Sequence, residues 1–142
     1  ILDYGVCYEG YASDCTITIA KSPLSKEQEE LLKAVQEATD ECKKLYIPNE
    51  KISRTVKKAD EIFAKINRVM PHGLGHGTGL EIHEEPFVSM RANENDVFKA
   101  GNIITLEPGL YDKTLGGTRL ENDILITETS NEVLTHSEIF RI

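Results

Sequence analysis

Hydrophobic residues in the middle of the chain recur at intervals of three and four, which predicts two helices. The first helix covers 25–46, where Ser25 and Gln28 have the spacing of a capping box. The second helix covers about 50–67, after the break that Pro48 imposes. Each helix has one apolar stripe, which belongs in a core. The stripes consist of Leu31, Val35, Ala38, Cys42 and Leu45 in the first helix, and of Ile52, Val56, Ala59, Phe63 and Ile66 in the second.

Near the N-terminus the period changes to two, which predicts a hairpin over residues 1–20. A turn at Tyr8-Glu9 pairs Asp3 directly with Asp14, whereas a turn at Glu9-Gly10 places them diagonally. In either register the two carboxylates share one face, about 5 to 8 Å apart. The face predicted to pack in the core carries Cys15, Ile17 and Ile19, and the opposite face carries Asp14, Thr16 and Thr18.

Two further strands are predicted in the second half of the chain. The first begins at Ile103 and ends at Glu107, just before a Pro-Gly turn. The second is one continuous strand over 118–127, and Asn131-Glu132 closes a last hairpin. Alternation along the second strand places Arg119, Glu121 and Asp123 on one face.

Residues 71–86 contain three of the four histidines and a glycine at every second position from 73 to 79. A helix is disfavoured there, because each interior glycine costs about 1 kcal/mol relative to alanine. The spacing instead predicts extended backbone that another segment approaches closely. Taken alone, a glycine-rich loop with incidental histidines is an equal alternative. His72 is either loop polarity, which we favour, or a second histidine that faces a substrate. We interpret His136, in a polar tail, as solvated.

The composition is that of a water-soluble domain, with 39% hydrophobic and 28% charged residues in 142. The net charge of −8 argues against a nucleic-acid partner, which requires a basic surface. No apolar run reaches membrane-spanning length, so no membrane partner is expected. Cys7, Cys15 and Cys42 lack Cys-x-x-Cys spacing, which argues against a disulfide framework and predicts a reducing, cytoplasmic location.

Four carboxylates and one imidazole form a candidate ligand set for metal ions. Asp3 and Asp14 lie on the first hairpin, His76 in the glycine-rich segment, and Glu107 and Glu121 on the later strands. Carboxylates about 4 Å apart repel by about 4 kcal/mol at an effective dielectric constant of about 20, so either water or a cation must lie between them. This oxygen-rich set suits manganese, cobalt or iron better than structural zinc.

Five short segments share their order and spacing with one enzyme family. They are Asp3-Tyr-Gly, Gly10-Tyr-Ala-Ser-Asp14-Cys-Thr16, the stretch from Gly75-His76 to Pro86, Thr105-Leu-Glu107-Pro-Gly-Leu-Tyr111, and Gly117-Thr-Arg119-Leu-Glu121-Asn. They resemble the dinuclear pita-bread metallopeptidases, which include methionine aminopeptidase, aminopeptidase P and prolidase. The resemblance implies an α+β pita-bread fold, in which helices pack on the outer face of a curved, mostly antiparallel sheet.

The same resemblance implies two divalent metal ions. Asp3 would chelate one ion, His76 and Glu107 would hold the other, and Asp14 and Glu121 would bridge both. Manganese or cobalt is expected first, with iron or zinc as alternatives. A hydroxide that bridges the two ions would attack the scissile carbonyl.

The resemblance also implies catalytic groups and a substrate. Glu107 would pass a proton to the leaving nitrogen, His83 would donate a hydrogen bond to the oxyanion, and Thr16 would support the metal ligands. Arg119 and the short interval from Glu107 to Glu121 resemble aminopeptidase P and prolidase more than methionine aminopeptidase. We therefore expect Arg119 and His83 to bind a peptide with proline at the second position. Dipeptidase and aminopeptidase activity remain equal alternatives.

Other interpretations come from different classes. A non-catalytic pita-bread binding module is disfavoured by the complete ligand set, whereas a methionine-aminopeptidase-type or other amide hydrolase is not excluded. By resemblance, residues 1–142 form the C-terminal, larger part of a catalytic domain, and the segment that opens the domain lies outside them. An apolar sheet face and edge are then expected to need cover from another chain. We expect weak or no peptidase activity from the isolated chain, and a homodimer for the enzyme.

Overall fold

In the computed structural model, which describes residues 1–142, two helices separate four short strands from eight later ones. The helices are α1 (Lys26–Lys43) and α2 (Ile52–Ala64). The strands are β1 (Leu2–Tyr4), β2 (Cys7–Tyr8), β3 (Tyr11–Ala12), β4 (Cys15–Ala20), β5 (Gly75–Gly77), β6 (Glu84–Val88), β7 (Ile103–Leu106), β8 (Gly109–Asp112), β9 (Gly116–Arg119), β10 (Asn122–Ile126), β11 (Asn131–Val133) and β12 (Ile139–Arg141).

The strands form two sheets and two ribbons. The larger sheet has the order β11-β10-β7-β5-β6, the smaller has the order β1-β4-β12, and the ribbons are β2-β3 and β8-β9. All neighbours are antiparallel except β12, which runs parallel to β4. Helix α1 contacts α2 and the strands β7 to β9, and α2 contacts β6. The predicted α+β class is therefore confirmed. Neither helix has the length and hydrophobicity that crossing a lipid bilayer requires.

Both predicted helices are present, and both end earlier than predicted. The predicted capping box forms, because the Gln28 N–H donates to Ser25 Oγ at 3.2 Å and the Ser25 N–H donates to Gln28 Oε1 at 2.9 Å. Helix α1 ends at Lys43, and Leu45 lies in a following turn. The stripe residues that are buried in one core are Leu31, Val35, Ala38, Cys42, Ile52, Val56, Ala59 and Phe63.

The first hairpin adopts the register with a Glu9-Gly10 turn. Both turn residues have positive φ, 50° at Glu9 and 86° at Gly10, as a tight two-residue hairpin loop requires. Strand β1 pairs with β4 so that Asp3 lies opposite Thr16. Asp14, two residues before Thr16, is therefore diagonal to Asp3, which was the second of the two predicted registers.

The predicted core face of β4 is wrong at Ile17 and Ile19, and only Cys15 is buried as predicted. Thr16 and Thr18 are buried, whereas Ile19 is exposed and Ile17 is half-buried. The polar face packs against the segment from β9 to β10, where Thr18 Oγ1 donates to the Arg119 carbonyl at 2.9 Å. Hydrogen bonds therefore compensate for the burial of polar groups on this face. The opposite, apolar face is exposed except at Cys15, and Leu2, Tyr4 and Phe140 lie on it with Ile19.

The single strand predicted over 118–127 is also wrong. It is divided into β9 and β10 at Leu120 and Glu121. Strand β9 pairs with β8, whereas β10 pairs with β7 in the larger sheet. Alternation of side chains reports the extended backbone on both sides of the break, but it carries no information about the change of partner.

Candidate metal centre

Glu107 and Glu121 face each other across an interruption in one long hairpin. Leu106, the last residue of β7, pairs with Asn122, the first residue of β10. The β8–β9 ribbon continues the hairpin in the same register, so the residues between the two paired segments remain opposite each other. Glu107 and Glu121 thus lie where the ladder is broken, and their side chains are free to point into the site.

The first hairpin supplies the carboxylates on the other side of the site. Asp14 is buried, and Asp3 is half exposed. Thr16 joins the two halves, because its backbone exchanges hydrogen bonds of 3.3 and 3.0 Å with Glu121. Thr16 Oγ1 also donates to Glu121 Oε2 at 2.6 Å. The hydroxyl therefore orients the Glu121 carboxylate, and the supporting role expected for Thr16 at a metal site remains a prediction.

His76 lies in β5, between β6 and β7, where only glycine fits on either side of it. A Cβ atom at Gly75 would lie 1.9 Å from the Thr105 carbonyl oxygen, and one at Gly77 would lie 2.4 Å from the Glu85 carbonyl oxygen. The close approach predicted from the glycine spacing is confirmed. The β5–β6 pairing is irregular between His76 and Gly77, which marks a bulge at the histidine.

The His76 ring directs a lone pair at the carboxylates. Its Nδ1 is 3.0 Å from the Gly77 carbonyl oxygen, which can only accept, so Nδ1 carries the proton. Nε2 then lies unprotonated, 3.7 Å from Asp14 Oδ2 and 3.6 Å from Glu107 Oε1. Lone pairs that face each other across such distances repel unless a cation lies between them. A metal-binding histidine commonly has this arrangement, with its other ring nitrogen bonded to a carbonyl.

The potential ligand atoms form three groups, within each of which the atoms lie within 4.8 Å of one another. The groups are Asp3, Asp14 and Glu121, then His76, Glu107 and Glu121, and finally Asp14, His76 and His83. Glu121 belongs to the first two groups, and Asp14 to the first and third. The structure thus brings together all five predicted ligands, and their individual roles remain a prediction.

Burial raises the pKa of the acidic groups, and their mutual repulsion adds to this effect. Burial and then the charge of Glu121 raise the pKa of Glu107 to about 8. Burial raises the pKa of Glu121 to about 7, although the hydrogen bond from Thr16 opposes the shift. Burial and then Asp3 raise the pKa of Asp14. The cluster therefore binds protons in place of a missing positive charge.

The donor set fits divalent ions. It combines carboxylates with one unprotonated imidazole nitrogen, and hard divalent ions such as manganese prefer such oxygen-rich ligands. Burial and then repulsion between neighbouring carboxylates raise the pKa of Glu107 and Glu121, and a cation that replaces the protons relieves this repulsion. Cys7, Cys15 and Cys42 lie in none of the groups, which argues against a thiolate zinc site.

His83 lies beside a cleft that opens next to the candidate ligands. The cleft has a volume of about 1140 Å³, and His83, His76 and Glu107 line it together with Phe87. Small-molecule sites typically span roughly 300 to 1,000 Å³, so this cleft has room for a short peptide. The exposed His83 is 4.3 Å from His76 between ring centroids. Its expected contact with the substrate oxyanion remains a prediction.

His72 and Tyr111 border the site, although the sequence favoured loop polarity for His72 and indicated no role for Tyr111. The interpretation of His72 as loop polarity is wrong, because its Nε2 accepts from the Tyr111 hydroxyl at 2.8 Å and its Nδ1 is 3.8 Å from Glu107 Oε2. Arg119 Nη1 donates to the same hydroxyl at 2.8 Å. The residue in the sequence that reflects this contact is Gly109. A Cβ atom there would lie 2.6 Å from the Tyr111 hydroxyl, so a larger residue would collide with it.

Arg119 connects the elements of the site. Its Nε donates to Thr16 Oγ1 at 3.1 Å, and its Nη2 donates to Asp3 Oδ2. With Tyr111, these partners occupy all three nitrogens of the guanidinium group. The expected contact between Arg119 and the substrate remains a prediction, whereas its contact with the candidate ligand Asp3 is part of the structure.

Comparison with known proteins identifies related chains. The uncharacterized peptidase YqhT of Bacillus subtilis (strain 168) is 38% identical over 142 residues, which cover 96% of this chain and 38% of that protein. The prolidase from Pyrococcus horikoshii OT3 has a TM-score of 0.90 at 36% identity, over 96% of this chain and 40% of that one. The X-Pro aminopeptidase from Thermotoga maritima MSB8 has a TM-score of 0.88 at 30% identity, over 99% of this chain and 40% of that one.

The chain thus spans about two fifths of the length of these relatives. The similarity to solved prolidases confirms the pita-bread fold that the sequence implied. Residues 1–128, nearly the whole chain, match the model of metallopeptidase family M24. The chain therefore belongs to metallopeptidase family M24.

Proposed function

We propose that the intact protein hydrolyses the Xaa-Pro bond at the N-terminus of peptides or in dipeptides, with two divalent metal ions bound. The observation that carries this proposal is the pair of ligand groups that share Glu121. Asp3 and Asp14 complete one group, and His76 and Glu107 complete the other. One shared carboxylate between two groups suits two ions, and the acidic set favours manganese or cobalt.

The proposed chemistry assigns separate tasks to the residues around the site. Two divalent ions, held by the ligand groups named above, would supply a hydroxide at neutral pH by lowering the pKa of bound water. Glu107 lines both the ligand cluster and the cleft, so it can take up a proton and deliver it to the leaving nitrogen. His83 lines the same cleft and donates a hydrogen bond to the carbonyl oxygen of the substrate as negative charge develops there.

Two observations support an Xaa-Pro substrate. Solved structures with TM-scores near 0.9 are named as a prolidase and an X-Pro aminopeptidase. The second observation is Arg119, which with the short interval from Glu107 to Glu121 resembles aminopeptidase P and prolidase more than methionine aminopeptidase. Arg119 contacts Asp3 at the edge of the cluster. From the family resemblance we further propose a homodimer. The three free cysteines support a reducing compartment, and the proposed location is the cytoplasm.

The test is a hydrolysis assay on the intact protein after EDTA treatment and addition of Mn²⁺ or Co²⁺. We expect metal-dependent cleavage of Ala-Pro or Ala-Pro-Ala, and the relative rates on these two peptides separate dipeptidase from aminopeptidase activity. Glu107→Gln, which keeps the size of the side chain and removes the carboxylate, should be inactive. Release of methionine from Met-Ala-Ala without cleavage of either proline peptide would favour a methionine aminopeptidase. Mn²⁺ binding without any hydrolysis would favour a binding module.

A further inference from the structure

Asp123 has a buried carboxyl group that the proposed reaction does not use. It lies in β10, two residues after Glu121, and its side chain is 3% exposed. It belongs to none of the groups of potential metal ligands. Alternation along the sequence places Asp123 on one face with Arg119 and Glu121 and indicates no role for it. Its partners in the structure show what it does.

The backbone pairing between β4 and β10 ends at Asp123. Thr16 and Glu121 exchange both backbone hydrogen bonds, as a hydrogen-bonded pair in an antiparallel ladder does. The next such pair along this ladder would be Asp14 with Asp123. The Asp123 backbone instead bonds to the segment that follows β11. Its N–H donates to Thr135 Oγ1 at 2.9 Å, and its carbonyl accepts from the Leu134 N–H at 2.9 Å.

The side chain of Asp123 accepts the hydrogen bond that its backbone carbonyl would accept from Asp14 in a continued ladder. Asp123 Oδ2 accepts a hydrogen bond from the Asp14 N–H at 2.9 Å, and both residues are buried. The carboxylate thus replaces the backbone carbonyl to which Asp14 would donate in a continued ladder. Asp14 follows a short ribbon and precedes β4, so this bond fixes its backbone against the strand that begins beside Glu121.

We propose that Asp123 is a positioning residue that sets the spacing between the Asp14 and Glu121 carboxylates. This inference rests on the proposed function in one respect, namely that Asp14 and Glu121 together bind metal. Glu121 and Asp123 are held by the same strand, and Asp14 is tied to that strand through Asp123. Loss of the acceptor should therefore let Asp14 move away from Glu121 and weaken metal binding without removing any ligand.

The structure also provides a conservative variant. Asp123 Oδ1 has no hydrogen-bond partner, so an amide nitrogen in its place breaks no contact. Asp123→Asn therefore keeps the acceptor for the Asp14 N–H, whereas Asp123→Ala removes it. Thr135→Val is a matched control, because it takes away the hydroxyl that accepts the Asp123 N–H and leaves the Asp14 contact in place.

The experiment is a calorimetric titration of the intact, EDTA-treated variants with Mn²⁺, together with their melting temperatures without metal. We expect Asp123→Ala to bind Mn²⁺ roughly 10- to 100-fold more weakly, the usual effect of removing a group that holds a ligand in place. Asp123→Asn should restore the wild-type affinity, and Thr135→Val should lower the melting temperature while it leaves the affinity unchanged. If Asp123→Ala does not fold, Asp123→Val, which suits a strand and offers no acceptor, takes its place with the same expectation.

Two results would overturn the role of Asp123. One is wild-type affinity in the folded Ala or Val variant, and the other is an equal loss in Asp123→Asn, which retains the acceptor. Asp14→Ala in the same titration separates this inference from the proposed function. If Asp14→Ala binds Mn²⁺ normally, the metal site itself is misassigned. If Asp14→Ala fails to bind and Asp123→Ala binds normally, only the positioning role of Asp123 is wrong.

Discussion

The imidazole rings of His76 and His83 lie 4.3 Å apart between centroids, yet only His76 is buried. Its Nε2 faces the carboxylates of Asp14 and Glu107, whereas His83 is exposed beside the cleft. We therefore expect His76→Ala to lose Mn²⁺ binding and hydrolysis together. His83→Ala should keep Mn²⁺ binding and lose roughly 10²- to 10³-fold in kcat, the usual effect of removing an oxyanion donor. Calorimetry with Mn²⁺ and steady-state kinetics on Ala-Pro measure the two effects.

His136→Ala provides the control for this comparison. His136 is exposed near the C-terminus and belongs to no group of potential ligands. Its replacement should change neither the affinity for Mn²⁺ nor kcat. An equal loss of Mn²⁺ affinity in the His76 and His83 variants would contradict the division of roles between the two central histidines.

The buried acidic groups should make the stability of the metal-free protein depend on pH. Burial is the main cause that raises the folded-state pKa of Glu107 to about 8, of Glu121 to about 7 and of Asp123 to about 6. The ordinary values are 4.5 for the two glutamates and 3.8 for the aspartate. Between the ordinary and the raised pKa, the folded state binds more protons than the unfolded state. Protonation of these three groups therefore stabilises the folded state fully below their ordinary pKa values. This stabilisation is lost as the pH rises through their raised pKa values.

We therefore expect the melting temperature in EDTA to fall as the pH rises from about 5 to about 8. Glu107→Gln should reduce the fall, since it removes the group with the highest raised pKa. Mn²⁺ should raise the melting temperature most at the upper end of this range, where protons no longer neutralise the cluster. A melting temperature in EDTA that increases over the same range would contradict the prediction.

Features decided by neighbouring residues could be predicted from the sequence. The capping box of α1 depends on Ser25 and Gln28, three positions apart, and it forms as predicted. The diagonal relation of Asp3 and Asp14 follows from a two-residue turn, and one of the two predicted registers is correct. The glycines around His76 indicated a close backbone contact without identifying the neighbour, and the structure shows that Thr105 is part of it.

Features decided by distant partners could not be predicted in the same way. The buried face of β4 is polar because Thr16 and Thr18 bond to residues about a hundred positions away, and local alternation does not report such partners. The link from Tyr111 to His72 spans 39 positions. Asp123 is 109 positions from Asp14, and their contact lies where the backbone pairing between the β4 and β10 segments ends. Each of these contacts depends on how the sheets meet, which periodicity does not encode.

Thr16 should be required for metal affinity although it is not a predicted ligand. Its hydroxyl is fully buried, donates to Glu121 Oε2 at 2.6 Å and accepts from Arg119 Nε at 3.1 Å. Thr16→Val keeps the shape of the side chain and leaves both groups without this partner. We expect roughly a 10- to 100-fold loss of Mn²⁺ affinity and a loss of about 1–3 kcal/mol in the free energy of unfolding. Calorimetry and urea unfolding measure these quantities.

Two variants decide whether the hydroxyl causes the loss. Thr16→Ser keeps the hydroxyl and should restore most of the Mn²⁺ affinity. Thr18→Val removes a buried hydroxyl from the same face, but one that donates to the Arg119 carbonyl rather than to a carboxylate. It should reduce stability and leave the Mn²⁺ affinity unchanged. Parallel losses of affinity in the Thr16 and Thr18 variants would show that general instability is responsible.

Arg119 should contribute to metal binding through its contact with Asp3, in addition to its predicted contact with the substrate. All three guanidinium nitrogens donate within the protein, to Thr16, Tyr111 and Asp3, and a lysine amine lacks the planar fork needed to reach them together. We expect Arg119→Lys to weaken Mn²⁺ binding and, because Arg119 is also predicted to contact the substrate, to raise the KM for Ala-Pro at saturating Mn²⁺. Arg68→Lys, which alters an ion pair on the β8–β9 ribbon away from the ligand groups, should affect neither value. An unchanged KM in Arg119→Lys at saturating Mn²⁺ would instead limit the role of Arg119 to the metal centre.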